Sequence, residues 1–259
     1  MTQTQPAERG VSSMVRDDHV AVLEFSRPPN NYFDLELLES LADTCEDLAA
    51  DGHTRAIVLR SSGRVFCAGA DFAASAGDRD PGPLYAQALR LFRQPLPMIA
   101  AVQGAAIGGG LGLALSADFR ISSREGRFAA NFAQIGIHHG FGLSVTLPEV
   151  VGRQTAMELL YTGRRIAAAD ALSVGLIDML VDDPSQLVAE ALAYAARIAS
   201  SAPLAVRSIR RTLRADLACK LADAVAHECA EQQELFTTED FREGVRSVAE
   251  RRTGRFIGR

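Results

Sequence analysis

A glycine-rich stretch is the part of this sequence best suited to chemistry, and it would act through its backbone. Gly104 to Gly112 reads GAAIGGGLG, ending an apolar run and leading into Leu113, Ala114 and Leu115, a segment typical of a helix. The first N–H groups of a helix have no intrahelical acceptor and the helix dipole favours negative charge there, so an anionic oxygen can bind. Tight packing between a strand and a helix needs the same small residues, and this stretch alone leaves both interpretations open.

Motifs for several other chemistries are missing from the sequence. It contains no GxxxxGK[ST], no GxSxG, no HExxH and no GxGxxG after a strand. Lys220 is the only lysine and falls in a helical segment, which disfavours Schiff-base chemistry. The four cysteines form no CxxC pair, so neither a structural zinc site nor a disulfide scaffold is indicated.

A second loop decides between the two interpretations of the glycines. The segment Phe66 to Phe72 reads FCAGADF, and AAVQGAAIGGGLGLALSADFR begins at Ala100. Together they resemble the two signature loops of the crotonase, or enoyl-CoA hydratase/isomerase, superfamily. The resemblance extends from the opening strands to the closing segment with Arg251 and Arg252, so it covers nearly the whole chain.

The resemblance implies an α/β fold. Residues 1–200 would form a spiral core of ββα turns, and residues 201–259 a C-terminal helical region through which the chain forms homotrimers or dimers of trimers. It also implies an acyl-CoA thioester as ligand, with coenzyme A as part of the substrate and no metal or prosthetic group.

The family's oxyanion hole maps onto two residues of this sequence. By position, the N–H groups of Ala70 and Gly109 would bind the thioester oxygen. Loss of a group at the α-carbon, or attack at the β-carbon, puts negative charge on that oxygen, and two fixed donors stabilise the charge without reorganising. One such hole serves many reactions.

Contacts with coenzyme A follow from the same resemblance. The backbone from Ala68 through Asp71 to Phe72 would meet the adenine and pantetheine parts, and Arg251 and Arg252 would approach the phosphates, from the same or a neighbouring subunit. Residues 242–259 carry six arginines against two glutamates. Taken by itself, that charge cluster is more typical of a solvated terminal helix.

The sequence departs from the family at both catalytic glutamates of a hydratase. The first belongs three residues after the oxyanion-hole glycine, where this chain has Gly112, and the second four residues before Gly136, where it has Phe132. Neither residue can transfer a proton. Glu149 and Asp170 are carboxylates whose position relative to the site the sequence leaves undetermined.

Two histidines are the remaining candidates for proton transfer. Some isomerases of the superfamily carry an acid just after the turn at Gly136, but the corresponding stretch here offers only His138 and His139. Imidazole is a competent base near neutral pH. A structural role in a glycine-rich loop is the competing interpretation, and a metal site is disfavoured because no third ligand is evident.

The acyl pocket is expected to be apolar, since Phe132, Leu111, Ile107 and Phe72 would line it. Other residues could hydrogen-bond the acyl group, although a loop or helix-surface position is favoured for each: Asn131, Gln134, Tyr32 and Tyr85.

Alternating strands and helices must position these loops. Val11–Arg16 and Val20–Phe25 predict a hairpin, and the apolar runs Ala56–Leu59 and Met98–Val102 predict buried parallel strands. Asp34 is placed to cap a helix, and Asp183 followed by Pro184 to start another. Helices are also predicted at residues 154–161 and 167–173, and from Pro203 onwards.

Bulk composition excludes several classes of protein. The net charge is −5, and no aromatic residues are interleaved with arginines, so nucleic acid is not an expected partner. No apolar segment has the length of a membrane span and the first residues are polar, which indicates a cytoplasmic protein that does not bind membranes.

Three functions remain open. The first is lyase or isomerase chemistry on an enoyl-CoA, with a proton relay that replaces the glutamates. The second is decarboxylation or thioester hydrolysis, of which decarboxylation needs no strong base. The third is acyl-CoA binding without catalysis.

Overall fold

The computed structural model describes residues 3–8, 10–71 and 80–259, with the backbone alone for 3–8. The strands of these residues are β1 (Gln3–Glu8), β2 (Val11–Val15), β3 (Val20–Phe25), β4 (Ala56–Ser61), β5 (Met98–Val102), β6 (Ala105–Ile107), β7 (Phe119–Ser123), β8 (Arg127–Ala129), β9 (Ile166–Ala167) and β10 (Met179–Val181). The α-helices are α1 (Leu35–Ala50), α2 (Gly82–Arg93), α3 (Gly109–Ser116), α4 (Leu143–Val151), α5 (Arg153–Thr162), α6 (Ala168–Ser173), α7 (Leu187–Ala199), α8 (Pro203–Leu213), α9 (Ala215–Leu235) and α10 (Glu239–Ala249).

The main sheet has the order β1-β2-β3-β4-β5-β7-β10 among the described residues. β1, β2 and β3 pair antiparallel, and every later pair is parallel. The predicted hairpin and the two predicted parallel strands are therefore confirmed, whereas β1 was not foreseen. A small second sheet, β6-β8-β9, lies beside the main one and carries the approach to the glycine-rich loop.

The central strands are buried on both faces, which explains why they are apolar along their whole length. On β4, Ile57 and Leu59 face the larger core, while Ala56 and Val58 face a smaller core completed by α7. α7 contributes one side of its helix to that smaller core, namely Leu187, Ala191, Ala195 and Ala199. The α/β class expected from the sequence is confirmed.

Both predicted helix caps are present. The Asp34 carboxylate accepts a hydrogen bond from the Leu37 N–H at 2.8 Å at the start of α1. Asp183 accepts from the Ser185 N–H at 2.9 Å, but it caps the short 3₁₀ turn Pro184–Gln186 that precedes α7. Such caps satisfy N–H groups that have no acceptor within the helix.

The chain from Pro203 to Ala249 is helical, as predicted, and packs on the body, whereas residues 250–259 form no helix. α9 contacts α2 and α4, and α10 contacts the 3₁₀ helix Asn131–Ile135. That 3₁₀ helix leads into the loop 136–142, which α9 and α10 therefore hold from the outside. Residues from distant parts of the sequence meet at this loop.

Candidate active site

The glycine-rich loop links β6 to α3. Gly108 has φ 57°, a backbone conformation that costs glycine little, and its N–H donates to the carbonyl of Ala129 at 2.8 Å. Gly109 is the first residue of α3, so its N–H has no intrahelical acceptor. A donor without an intrahelical acceptor at the start of a buried helix is what the anion-binding interpretation requires.

The second loop runs alongside β6. The Cys67 N–H donates to Ala105 at 3.0 Å, and the Ile107 N–H donates back to Cys67 at 2.9 Å. Two residues later, the carbonyl of Gly69 accepts from the Phe33 N–H at 2.9 Å, and Ala70 pairs with Phe33 in parallel. In such pairing the bonds come from the residues on either side, so the N–H of Ala70 points away from Phe33.

The two loops lie in contact at their glycines. A Cβ added to Gly69 would stand 3.2 Å from the Gly109 nitrogen, and one added to Gly110 would overlap the carbonyl of Cys67. Within the described residues, neither the Ala70 N–H nor the Gly109 N–H donates to a protein acceptor. Two N–H donors on adjoining backbone segments are thus available for one oxygen.

Three phenylalanine rings lie beside Gly108 and Gly109. A Cβ on Gly109 would stand 2.5 Å from Cζ of Phe33, and one on Gly108 would stand 3.7 Å from Cζ of Phe132. The Phe33 and Phe141 ring centroids are 5.4 Å apart. All three side chains are buried, so an apolar wall stands beside the donors. Phe132 was anticipated, but Phe33 and Phe141 were missed because their proximity depends on the fold.

The two positions at which the resemblance places the glutamates of a hydratase hold uncharged residues. A Cβ on Gly112 would stand 2.6 Å from Cβ of Phe141, and Phe132 is buried at the other position. Glu149 and Asp170, which the sequence could not place, are exposed on α4 and α6.

His138 and His139 stack on one another, with ring centroids 4.0 Å apart. The His138 ring meets His227 edge-on at 5.8 Å, and Nε2 of His139 hydrogen-bonds Oγ of Ser144 at 2.9 Å. Burial, together with the neighbouring histidines, lowers the pKa of His139 to about 3. His139 is therefore neutral at physiological pH, and a pKa this low leaves little driving force for it to take up a proton.

Tyr85 is buried, not at a helix surface as expected. Its hydroxyl donates to Oε1 of Gln232 at 2.7 Å, and Nε2 of Gln232 donates to the carbonyl of His138 at 2.7 Å. A Cβ on Gly140 would overlap the Tyr85 hydroxyl, so residue 140 must be glycine here.

Glu228 is a buried carboxylate that sequence reasoning missed. Its two oxygens accept from the N–H groups of Gly142 and Ser144 at 2.7 and 2.8 Å, capping α4 from a distant helix. Burial raises the pKa of Glu228 despite these bonds. A signal was available, because α9 buries a helical stripe that includes Leu221, Val225, Glu228 and Gln232, and two polar residues in such a stripe indicate buried partners.

The predicted coenzyme A contacts are only partly described. Ala68 donates its N–H to Asn30 at 3.1 Å, Asp71 ends the described segment, and Phe72 lies outside the described residues. Arg251 is exposed at φ 54°. Arg252 is paired with Glu243 and Glu250, so a phosphate would have to compete with two carboxylates for it.

The described residues lack both a metal site and a membrane-spanning helix. In this part of the chain, no group of three or more histidine, cysteine, aspartate or glutamate side chains is arranged to hold a metal ion. Its helices include none with both the length and the apolar character needed to cross a membrane.

Comparison with known proteins agrees with this geometry. Residues 16–259 match the family model described as enoyl-CoA hydratase/isomerase. A probable enoyl-CoA hydratase of Bacillus subtilis is 32% identical over 95% of this chain and 98% of that protein. The crystal structure of an enoyl-CoA hydratase/isomerase from Pseudoalteromonas atlantica superposes with a TM-score of 0.86 at 30% identity, covering 96% of this chain and 100% of the other.

A third relative has a different described activity. The structure of a methylmalonyl-CoA decarboxylase in complex with 2-nitronate-propionyl-CoA superposes with a TM-score of 0.81 at 27% identity, over 96% of this chain and 98% of the other.

The fold and the paired loops define an acyl-CoA-binding protein of the crotonase class. The chain belongs to the enoyl-CoA hydratase/isomerase family.

Proposed function

We propose that this chain stabilises the enolate of an acyl-CoA thioester between the N–H groups of Ala70 and Gly109, without a metal or prosthetic group. The observation that carries the proposal is the contact between the two loops, which leaves both donors without a protein acceptor in the described residues. The adjacent phenylalanine wall lowers the local dielectric and so raises the value of each donor.

The reaction that this site supports best is lyase or isomerase chemistry on an enoyl-CoA without the two glutamates. Gly112 and Phe132 stand in the glutamate positions, so a proton must move by another group or through the substrate itself. His138 and His139 are the candidates in the loop, and the low pKa of His139 favours His138 of the two.

Turnover of an acyl-CoA panel tests the proposal. Crotonyl-CoA and longer enoyl-CoA thioesters would be incubated with wild type, His138→Ala and His139→Ala, with products separated by mass and the conjugated thioester followed by absorbance. A rate lost in one histidine variant identifies the proton carrier. No product from any enoyl-CoA would refute enoyl-CoA chemistry.

Decarboxylation or thioester hydrolysis is the second candidate. Loss of CO₂ delivers electrons to the α-carbon without a protein base, so decarboxylation does not require charged residues at the glutamate positions. The similarity to a methylmalonyl-CoA decarboxylase also supports decarboxylation. Malonyl-type thioesters would be assayed for CO₂ and for free coenzyme A. Tight binding of a thioester with neither product formed would leave acyl-CoA binding without catalysis as the remaining function.

The exposed apolar residues of α8 support assembly into homotrimers or dimers of trimers. No residue of α8 is buried, and Ile209 and Leu213 are 59% and 75% exposed. An exposed apolar helix face of this kind is typical of a protein–protein contact.

A further inference from the structure

Phe141 has an unusual backbone for a bulky residue. It lies between Gly140 and Gly142 with φ 62°, in the left-handed region that glycine favours. Holding such a side chain there costs free energy, so the surrounding structure must fix it. Here the loop is held by Gln232 at the carbonyl of His138 and by Glu228 at the N–H of Gly142.

The strained residue directs its ring onto α3. For a Cβ on Gly112, the three nearest atoms all belong to Phe141: Cβ at 2.6 Å, Cδ1 at 2.8 Å and Cγ at 2.9 Å. A Cβ on Gly109 would stand 3.7 Å from Cδ2 of the same ring. The ring therefore covers the helix from the proposed oxyanion donor to the position of the missing first glutamate.

A side chain at position 112 and the ring at position 141 cannot coexist. Phe141 is only 1% exposed and packs against Phe33 and Phe92, so it has no room to move aside. The three atoms nearest to an added Cβ at position 112 are all carbon atoms of Phe141, so the space there is apolar.

We infer that Phe141 is a specificity-determining residue: its ring takes the space of the first glutamate and of the attacking water, and so restricts this pocket to acyl-CoA reactions in which no water is added. The inference rests on the proposed function. It narrows enoyl-CoA chemistry to reactions other than hydration, and it is equally compatible with decarboxylation.

Melting temperatures test the packing without any turnover. Gly112→Ala should lower the melting temperature by about 5 °C, because the new methyl group overpacks the core. Phe141→Gly suits the positive φ and removes the ring, so in that background Gly112→Ala should cost less than about half as much. Phe25→Leu is the matched control: it removes a buried phenylalanine ring that packs against Phe66 and should give no such relief.

Folding failure is itself informative here. If Gly112→Ala does not fold and the double variant with Phe141→Gly does, the inference is supported. Equal costs of Gly112→Ala in the wild-type and Phe141→Gly backgrounds would overturn it.

Hydration of crotonyl-CoA tests the part of the inference that concerns the reaction. Gly112→Glu/Phe132→Glu/Phe141→Gly should hydrate crotonyl-CoA at least about tenfold faster than both wild type and Gly112→Glu/Phe132→Glu, since a positioned acid or base contributes factors of this size or more. Ready hydration by wild type, or a triple variant that binds crotonyl-CoA but gains no rate, would refute the inference. Failure of wild type to bind any acyl-CoA would instead refute the proposed function, and the melting temperatures would still decide the packing.

Discussion

At the scale of single residues, the proposed oxyanion donors depend on glycines that leave room for an oxygen. Gly69 has φ 84° and its missing side chain faces the Gly109 nitrogen. A glycine at such a contact is needed for its backbone conformation and for the space that a side chain would fill. A second glycine with a positive φ but no close neighbours separates these two requirements.

Gly69→Ala should lower kcat/KM by about 100-fold for whichever thioester is turned over, because the added methyl group displaces one of the two donors. Gly63→Ala is the matched control, since Gly63 has φ 76° but nothing within 4 Å of an added Cβ. Both variants pay a similar backbone strain, but Gly69→Ala also crowds the Ile107 carbonyl at 3.0 Å and the Gly109 nitrogen at 3.2 Å, so a lower melting temperature and a lower rate than for Gly63→Ala are expected. An equal rate loss in both would contradict a role for the space at Gly69.

The free energy of unfolding should depend on pH through His139. Its pKa is about 3 in the folded chain against an ordinary value of 6.5, so between these values the unfolded chain binds a proton that the folded chain does not. The free energy of unfolding is therefore highest above pH 6.5, where His139 is neutral in both states. It decreases as pH falls from 6.5 towards 3, by about 1.4 kcal/mol for each pH unit well inside this range.

Urea unfolding of wild type and His139→Asn from pH 7.5 to 4 measures this effect. The free energy of unfolding of wild type, relative to the variant, should decrease steadily below pH 6.5. A difference that does not change with pH would show that His139 titrates normally in the folded protein.

At the scale of elements, a buried ion-pair cluster fastens α8 to the start of β5. Asp118 accepts from the Met98 N–H at 2.9 Å and pairs with Arg210 at 2.8 Å and Arg214 at 2.6 Å. Burial works against the charged carboxylate, but the two arginines hold the pKa of Asp118 below its usual value. Asp118 therefore joins a helix to a strand.

Asp118→Asn should cost about 3 kcal/mol of unfolding free energy, because it leaves two largely buried guanidinium groups without their counter-charge. Asp182→Asn is the control: Asp182 pairs with Arg124 at 2.6 Å, but the side chains are 79% and 65% exposed, and such pairs contribute less than about 1 kcal/mol. Chemical denaturation of both variants measures the difference. Similar small losses would mean that solvent reaches the Asp118 cluster.

At the scale of the whole molecule, α8 is held to the body through Arg210 while its apolar residues point outwards. Ile209 and Leu213, four residues apart, share one side of the helix. A subunit contact would bury them and would at the same time hold the C-terminal helices that support the 136–142 loop.

Ile209→Glu/Leu213→Glu should convert the proposed trimer or hexamer into monomers, because burying two carboxylates in a contact is costly. Ser208→Glu, on the other side of the same helix, should leave the assembly unchanged. Light scattering coupled to gel filtration measures the mass. A monomeric wild type would refute the proposed assembly.

The sequence by itself determined the fold class, the family and the two loops that hold the donors. These features depend on local patterns: apolar runs of strand length, caps such as Asp34, and glycines wherever two backbones meet closely. It also predicted, from the spacing in the family it resembles, that Gly112 and Phe132 stand where a hydratase carries its two glutamates, and this stays a prediction.

Only the tertiary structure decided what stands in place of those glutamates. Phe33, Phe141 and Glu228 come from three distant segments, and their meeting depends on how α9 packs against the loop after Gly136. The direction of the Phe141 ring depends on a positive φ that no local pattern for a phenylalanine predicts. Long-range packing, unlike periodicity, leaves no regular trace along the chain.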